Sequence, residues 1–361
     1  MRILHVITSL YTGGAEHLLV DLLPLLKDNG KNQVDLLLIN GVETAFKKAI
    51  QQAGIQVFSL SSTNDVYNPK NIFRMRTYLR NYDIIHTHNT ACQFFVPVAQ
   101  LMTASTALLV TTEHSSSNRR RSSWWLKPID CWMYNQYRAI ICIADQPRKN
   151  LEAYIGKKPS LLTINNGVNI QRFVRSVKDI SAQDSFVITM VAAIRAEKDH
   201  ATLLKSLTHL PDNYRLQIVG GGEKVNCENL KAHCEELGLE NRVVFMGVRQ
   251  DIPDILEKSD ILVLSSHWEG LSLSSIEGMA SGRPFIASDV DGLREIVGGA
   301  GMLFPHGDDK ELARQIQFLC EHPDEYREVA RRCQDRARQY DISIMANNYL
   351  DLYHSLFNPK G

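Results

Sequence analysis

Two α/β domains, each a doubly wound parallel sheet, are what the 361-residue sequence predicts, and three observations predict them. Short runs of Val, Ile and Leu alternate with longer amphipathic stretches, the pattern of buried parallel strands joined by helical crossovers. The alternation breaks at a polar, unpatterned stretch, SVKDISAQDS at 176–185, and then restarts. Glycines recur just after strand-like runs, at 13–14, 220–222 and 270. In an open α/β sheet that is the edge where ligands bind.

The elements follow in order. Strand-like runs in the first half are 2–8 (RILHVIT), 33–39, 55–60, 83–86, 107–112 and 139–143, with helical patterns at 15–29 and 70–81. The second series is 186–192 (FVITMVA), 214–219, 242–246, 260–264 and 284–288. The chain closes on an amphipathic helix at 341–357. This places an N-terminal Rossmann-like domain at 1–175 and a second at 176–340, with 341–361 as a terminal helical segment. Two such sheets facing one another make a cleft.

Composition narrows the class. A hydrophobic fraction of 44% and a charged fraction of 22% are ordinary for a globular chain. No run approaches the ~18 apolar residues of a membrane span, and the start reads as a strand rather than a signal peptide. The seven cysteines are odd in number and form no CxxC, so neither a disulfide framework nor a zinc site is predicted, and a cytoplasmic location is. Nothing in the pattern marks a nucleic-acid partner. The net charge of zero hides an asymmetry: residues 1–175 carry 20 Lys+Arg against 11 Asp+Glu, and residues 176–361 carry 20 against 29. The basic half suits an anionic acceptor or the inner face of an anionic membrane, or is drawn to the acidic half.

Candidate chemistry falls at strand ends. Gly13 and Gly14 sit between a strand and a helix, where unpaired N–H groups suit an anion, although Gly-Gly is also a common turn. His86, His88 and His114 fall at or just after strand ends; His86 reads as structural, and His114 as a donor to a hydroxyl or phosphate. Arg195 and Lys198 stand at the mouth of the second sheet. Fixed cations there stabilise the charge that develops as a nucleotide diphosphate departs; the bland alternative is two solvated charges before a helix. Gly220 lies in a glycine turn, and Gly247 follows another strand, in reach of a nucleobase. The strongest signal is 267–284, HWEGLSLSSIEGMASGRP. Helix is predicted over 273–280, so Gly270, Leu271 and Ser272 form its N-terminal turn, an anion site, with Glu269 before the turn and Glu277 inside the helix. Asp289-Val290-Asp291 matches the DxD metal signature of a different transferase fold; it reads as a chance match, and no metal or other cofactor is expected.

Taken together, these segments resemble the retaining glycosyltransferase family 4, of the GT-B fold. The likeness runs through GGAE at 13–16, EHS at 113–115, NNGVN at 165–169, EKDH at 197–200, VGGGE at 219–223, FMG at 245–247, the Glu269–Glu277 run and GMLFPHGD at 301–308. It implies a metal-independent, front-face transfer of a hexose or related sugar from a UDP- or GDP-sugar, with the first domain holding the acceptor, the second the donor, and the terminal helix crossing back onto the first. It casts Glu277 on the ribose, Glu269 on the donor sugar, residues 270–272 and Lys198 on the diphosphate, and His114 near the transferred sugar. One departure is Ala193 where the family usually carries Arg; Arg195 is the nearby substitute.

For the acceptor side, NRRRSSWWLK at 118–127 joins arginines to two tryptophans. Arg119, Arg120 and Trp124, with His88, are the candidate acceptor residues, for a saccharide or a lipid-linked sugar in polysaccharide or glycolipid synthesis, with peripheral membrane contact. The competing expectation is a non-catalytic homologue that binds sugar nucleotides as a sensor or scaffold, for which Ala193 speaks.

Overall fold

The computed structural model describes residues 1–11, 13–62, 65–114, 123–158 and 160–357. By its contacts the chain divides into two compact units, Met1–Gly167 with Ile342–Gly361, and Val168–Asp341. The division thus falls at 167/168 and 341/342, where the sequence placed it at 175/176 and 340/341.

The first unit is built on a seven-stranded parallel sheet: β1 (Arg2–Ile7), β2 (Gln33–Asn40), β3 (Gln56–Ser61), β4 (Ile84–His88), β5 (Leu108–Glu113), β6 (Ala139–Cys142) and β7 (Leu161–Thr163). The spatial order is β3-β2-β1-β4-β5-β6-β7, so the winding reverses between β1 and β4. That reversal opens a crevice beyond the strand ends, the place where such sheets bind ligands. Both faces are covered, which is why the strands read as near-continuous apolar runs. Helix Gly14–Leu26 lays Leu18, Leu19, Leu22, Leu23 and Leu26 on one face, and helix Ile342–Phe357 adds Met345, Tyr349 and Tyr353 to the same core. Helices Thr90–Leu101 and Lys127–Asn135 cover the other face with Phe95, Val96, Met133 and Tyr134. The helical patterns at 15–29 and 70–81 each end in a short 3-10 turn, at Asp28–Gly30 and Leu79–Asn81.

Six parallel strands make the second unit: β8 (Phe186–Val191), β9 (Tyr214–Val219), β10 (Val243–Gly247), β11 (Ile261–Leu264), β12 (Phe285–Ser288) and β13 (Met302–Phe304). Their order, β10-β9-β8-β11-β12-β13, repeats the same reversal between β8 and β11. Beneath this sheet Asp260 is almost fully buried, accepting from the backbone N–H of Val187 at 2.7 Å and from Lys178 Nζ at 2.5 Å. Arg283, also buried, donates to the carbonyls of Ser176, Glu257, Ser259 and Ser281.

The terminal helix belongs to the first unit, as the sequence suggested. Gly167 lets it come close, because a Cβ there would lie 2.6 Å from Ile342 Cα, and the Gly167 N–H donates to Met345 Sδ at 3.2 Å.

Candidate functional site

In the second unit the loops after β8 and β11 meet at the switch point. A 3-10 turn, Ala196–Lys198, carries the lysine, and Asp199 then takes a left-handed backbone (φ +47°) to cap helix His200–Thr208 through the Thr202 N–H. Ser265, just past β11, donates to the carbonyls of Lys198 and Asp199, at 3.3 and 2.8 Å, and so locks the two loops together. The result is a direct ion pair, Lys198 Nζ to Glu269 Oε1 at 2.5 Å. Ser266 donates to the same carboxylate oxygen at 2.7 Å. Lysine and glutamate, 71 positions apart, are therefore held as one charged unit beside the Gly270–Ser272 turn. His267 ties into the same loop, its backbone N–H donating to the Glu197 carbonyl at 2.8 Å and its ring facing His306.

The helix expected over 273–280 is present with those bounds, Leu273–Ala280. Ser272 is its N-cap and accepts from the Ser275 N–H at 3.3 Å, a partner that would otherwise be an orphan donor. Leu271 is buried, so its side chain anchors the turn while the backbone remains for a ligand. Glu277 is half-buried on this helix. One contributor has no signal in the Glu269–Glu277 run itself: Gly292, at φ +83°, backs the turn so closely that a Cβ would sit 2.2 Å from the Gly270 carbonyl oxygen. Gly292→Ala is therefore expected to destabilise the unit by about 1–3 kcal/mol and to displace the turn. The control is Gly307→Ala, which shares a positive φ of +77° but has no atom within 4 Å of the new Cβ. Equal denaturation midpoints for the two variants would refute the clash.

Arg195 stands apart from the Lys198–Glu269 pair. It is 66% exposed, approaches Glu197 at 3.8 Å, and lines a surface depression with Gly221, Gly222, Glu223 and Asn226. The Arg195 cation thus borders the glycine turn, and position 193, an alanine, adds no charge to it. Gly220 (φ +146°) has a backbone reason to be glycine: a Cβ would lie 2.0 Å from the Ala192 carbonyl oxygen, so the β8 and β9 ends can touch only without one. Gly247 (φ +66°) turns the chain after β10 with open space beside its Cα. Asp289 and Asp291 flank Arg294, with salt bridges of 2.6 and 3.2 Å.

In the first unit the side chains on one face of β1, β4 and β5 form a row. His5 pairs in register with His86, His86 with Val110, and His88 with Thr112, so period-two alternation puts His5, His86, His88, Thr112 and His114 on the same side. His5 Nδ1 meets His88 Nε2 at 2.9 Å, and His88 Nδ1 meets His114 Nε2 at 2.9 Å. His86 bridges Tyr353 OH (2.5 Å) and Thr112 Oγ1 (2.7 Å). Burial holds every ring neutral: the pKa is driven down to about 3 for His5 and about 4 for His114, and well below the usual range for His86 and His88. His86, read as structural from the sequence, is fully enclosed, and His88 is enclosed with it.

Beyond β1 and β4, Asn89 holds a backbone that side chains rarely adopt (φ +67°) and donates to Thr8 Oγ1 at 3.0 Å. Its amide also reaches Glu16, whose carboxyl is raised by burial against that stabilising contact. The Glu16 carboxylate folds over Gly13, where a Cβ would lie 2.2 Å from it; Gly14 begins the helix with open space at its Cα. His5 and Asn89 carry no motif of their own, whereas Glu16 closes the GGAE segment. The signal for His5 was available as a polar residue between Ile3 and Ile7 on an otherwise apolar strand face.

Arg119 and Arg120 lie outside the described residues. Trp124 and Trp125 are described, in the turn Trp124–Leu126, and are 85% and 60% exposed rather than packed in the core.

Comparison with known proteins fits this geometry. Residues 12–172 match the model for Glycosyltransferase Family 4, and residues 174–340 match that for Glycosyl transferases group 1. Among curated relatives, the putative glycosyltransferase EpsD of Bacillus subtilis is 28% identical over 63% of each chain. The UDP-Gal:alpha-D-GlcNAc-diphosphoundecaprenol alpha-1,3-galactosyltransferase of Escherichia coli is 28% identical over 58% of this chain and 59% of its own. The match to the N,N'-diacetylbacillosaminyl-diphospho-undecaprenol alpha-1,3-N-acetylgalactosaminyltransferase of Campylobacter jejuni spans 52% of each chain at 28% identity. The chain thus spans between half and two thirds of the length of these relatives. In fold it is similar to Anabaena HepE, solved in complex with UDP, at a TM-score of 0.85 and 23% identity over 98% of this chain and 100% of that one. The two family matches cover almost the entire sequence, the two switch-point sheets are those of the GT-B fold, and the chain belongs to glycosyltransferase family 4.

Proposed function

We propose that the chain transfers a sugar from a nucleoside diphosphate sugar to a lipid-linked or saccharide acceptor, with retention of anomeric configuration and without a metal ion. The observation that carries this reading is the Lys198–Glu269 pair beside the capped Gly270–Ser272 turn. A diphosphate entering there meets a helix N-terminus and a lysine positioned by two serine-anchored loops. The lysine would move from Glu269 to the phosphate, and Glu269 would then be free to accept hydroxyls of the donor sugar. Fixed positive charge would thereby do the work that a divalent cation does at other phosphoryl leaving groups. Glu277, on the same helix, suits the ribose diol.

Support for the substrate class comes from relatives whose names specify a UDP-sugar donor and undecaprenyl-diphosphate-linked acceptors. Uridine nucleotides are accordingly the first donors to try. The exposed Trp124 and Trp125, beside Lys127, suit contact with lipid headgroups, and no described helix is long and apolar enough to cross a membrane.

The test is a panel of UDP-, GDP- and ADP-sugars with an undecaprenyl-diphosphate-sugar acceptor, read by acceptor glycosylation and by the anomeric coupling of the product. Transfer is expected to survive EDTA unchanged. A metal requirement, an inverted product or nucleotide binding without transfer would each overturn a stated part of the reading. The last outcome would favour a sugar-nucleotide sensor, for which Ala193 in the phosphate loop speaks.

A further inference from the structure

We infer that His5 and His88 are positioning residues that fix His114 in one tautomer, with its Nδ1–H presented as a neutral hydrogen-bond donor to an oxygen of the bound ligand. The proposal rests on the reading of this unit as part of a sugar-transfer site, but its core is a property of the free protein.

The reasoning is a proton count. Each neutral imidazole carries one N–H and one bare nitrogen, so a chain of rings joined end to end has only two consistent arrangements. The chain here is His5 Nδ1 to His88 Nε2, then His88 Nδ1 to His114 Nε2, each link 2.9 Å. Its two terminal nitrogens, His5 Nε2 and His114 Nδ1, have no hydrogen-bond partner among the described residues. In one arrangement every ring donates towards His114: His5 Nδ1–H to His88, His88 Nδ1–H to His114, leaving the unpaired proton on His114 Nδ1. In the other the donors run inward, and the unpaired proton sits on His5 Nε2.

Position along the strands decides between them. His5 is 0% exposed at the centre of the sheet, among Ile3, Ile7 and the stacked rings of His86 and His88. An orphan N–H there could not be met by a ligand, and buried N–H groups left without any partner are the rarest of unsatisfied polar atoms. His114 Nδ1 is covered in the free protein too, but it belongs to a part-buried residue at the strand end beyond β5, whereas His5 Nε2 lies on a fully enclosed residue in the middle of β1. The outward arrangement places the unpaired donor at the strand end, beside the crevice, where a ligand that displaces its cover would accept from it. A third ring locks the geometry without joining the chain: His86 stacks on both His5 and His88 at centroid distances of 4.9 and 4.6 Å. Its own nitrogens are engaged by Tyr353 and Thr112, and Thr112 in turn by Tyr349. The only acid on β5 near this row, Glu113, belongs to the opposite face, where it accepts from Gln93.

Neutrality matters to the chemistry. A neutral donor binds a sugar hydroxyl or a phosphate oxygen without delivering a proton, so His114 would orient the donor substrate rather than act as a general acid. The inverse tautomer would present a bare nitrogen, which repels a phosphate oxygen.

The experiment uses protein selectively labelled with 15N-histidine, free of nucleotide, at neutral pH. Long-range 1H–15N spectra are expected to give His114 a protonated Nδ1 and a bare Nε2, and the same for His88. The reverse pattern at His114 overturns the proposal, whatever the protein later proves to transfer. His5→Phe removes the donor at the head of the chain and is expected to mix the His114 tautomers, whereas His5→Asn, which keeps an N–H, restores the single form; an unchanged His114 in His5→Phe also overturns it. A second arm compares UDP with UDP-glucose by calorimetry. His5→Phe is expected to weaken binding about tenfold. A loss for both ligands places the accepting oxygen on the diphosphate, a loss for UDP-glucose alone places it on the sugar, and no loss for either overturns the ligand contact. Absence of all binding by the wild-type protein, with the expected tautomers, would fault the functional reading and leave the chain of rings standing.

Discussion

Lys198→Ala is expected to lower kcat by about 10²- to 10³-fold while leaving the fold intact, which is the scale of losing one preorganised charge contact to a leaving group. The lysine side chain is 21% exposed and its removal opens no core cavity, so stability falls little. What changes is the electrostatic balance of the site. In the free protein Lys198 neutralises Glu269, whose side chain is 10% exposed and whose remaining described partner on Oε1 is the Ser266 hydroxyl. Without the ammonium, an approaching diphosphate meets an uncompensated carboxylate as well as a missing cation. Glu269→Gln removes that repulsion and keeps an acceptor for Ser266, so the double variant is expected to be less than the sum of the two single losses. The measurement is steady-state release of the nucleoside diphosphate, with circular dichroism and melting as folding controls. Full activity in a folded Lys198→Ala protein would place the chemistry elsewhere.

Acidification is expected to melt the first unit before the second. His5, His86, His88 and His114 are neutral in the folded protein and their ordinary pKa is 6.5. Above pH 6.5 neither folded nor unfolded rings bind protons and stability is at its plateau. As the pH falls through 6.5 the unfolded chain takes up protons that the folded chain refuses, so stability declines. The decline continues to the folded values, about 4 for His114 and about 3 for His5. At pH 5 the His5 and His114 rings each cost roughly 2 kcal/mol, and His86 and His88 act in the same direction, against a typical total of 5–15 kcal/mol. The second unit has one comparable ring among those described with a lowered pKa, His200, brought down to about 4 by burial. Hydrogen exchange at pH 7 and pH 5 would show protection lost first in β1, β4 and β5. Uniform loss across both units, or none, would contradict the burial of these rings.

Much of this was legible in the sequence, for definite reasons. Eleven strands announced themselves as apolar runs because both sheet faces are covered, and β7 and β13 did not because three-residue edge strands are too short to show a pattern. The helix at Leu273–Ala280 was readable from Ser272 as a cap before an apolar period. Spacing alone says nothing about which distant charges meet, so Lys198 and Glu269 were each legible as candidates at strand ends, but their ion pair emerges only in the structure. Gly292 and Asn89 work through backbone conformation, which a residue name only hints at. His5 was hidden inside a strand whose other side-chain positions on that face are isoleucine, and its importance emerges only when β4 is laid beside it.

The helix Ile342–Phe357 is made after the whole of the second unit, yet Tyr349 and Tyr353 close the core over His86, which is made before it. On the ribosome, then, the amino-terminal half must wait, with its histidine face uncovered, through the synthesis of the whole second half. The second unit is continuous and can finish folding in the interval. A premature stop just before residue 342 would spare that later unit and ruin the earlier one.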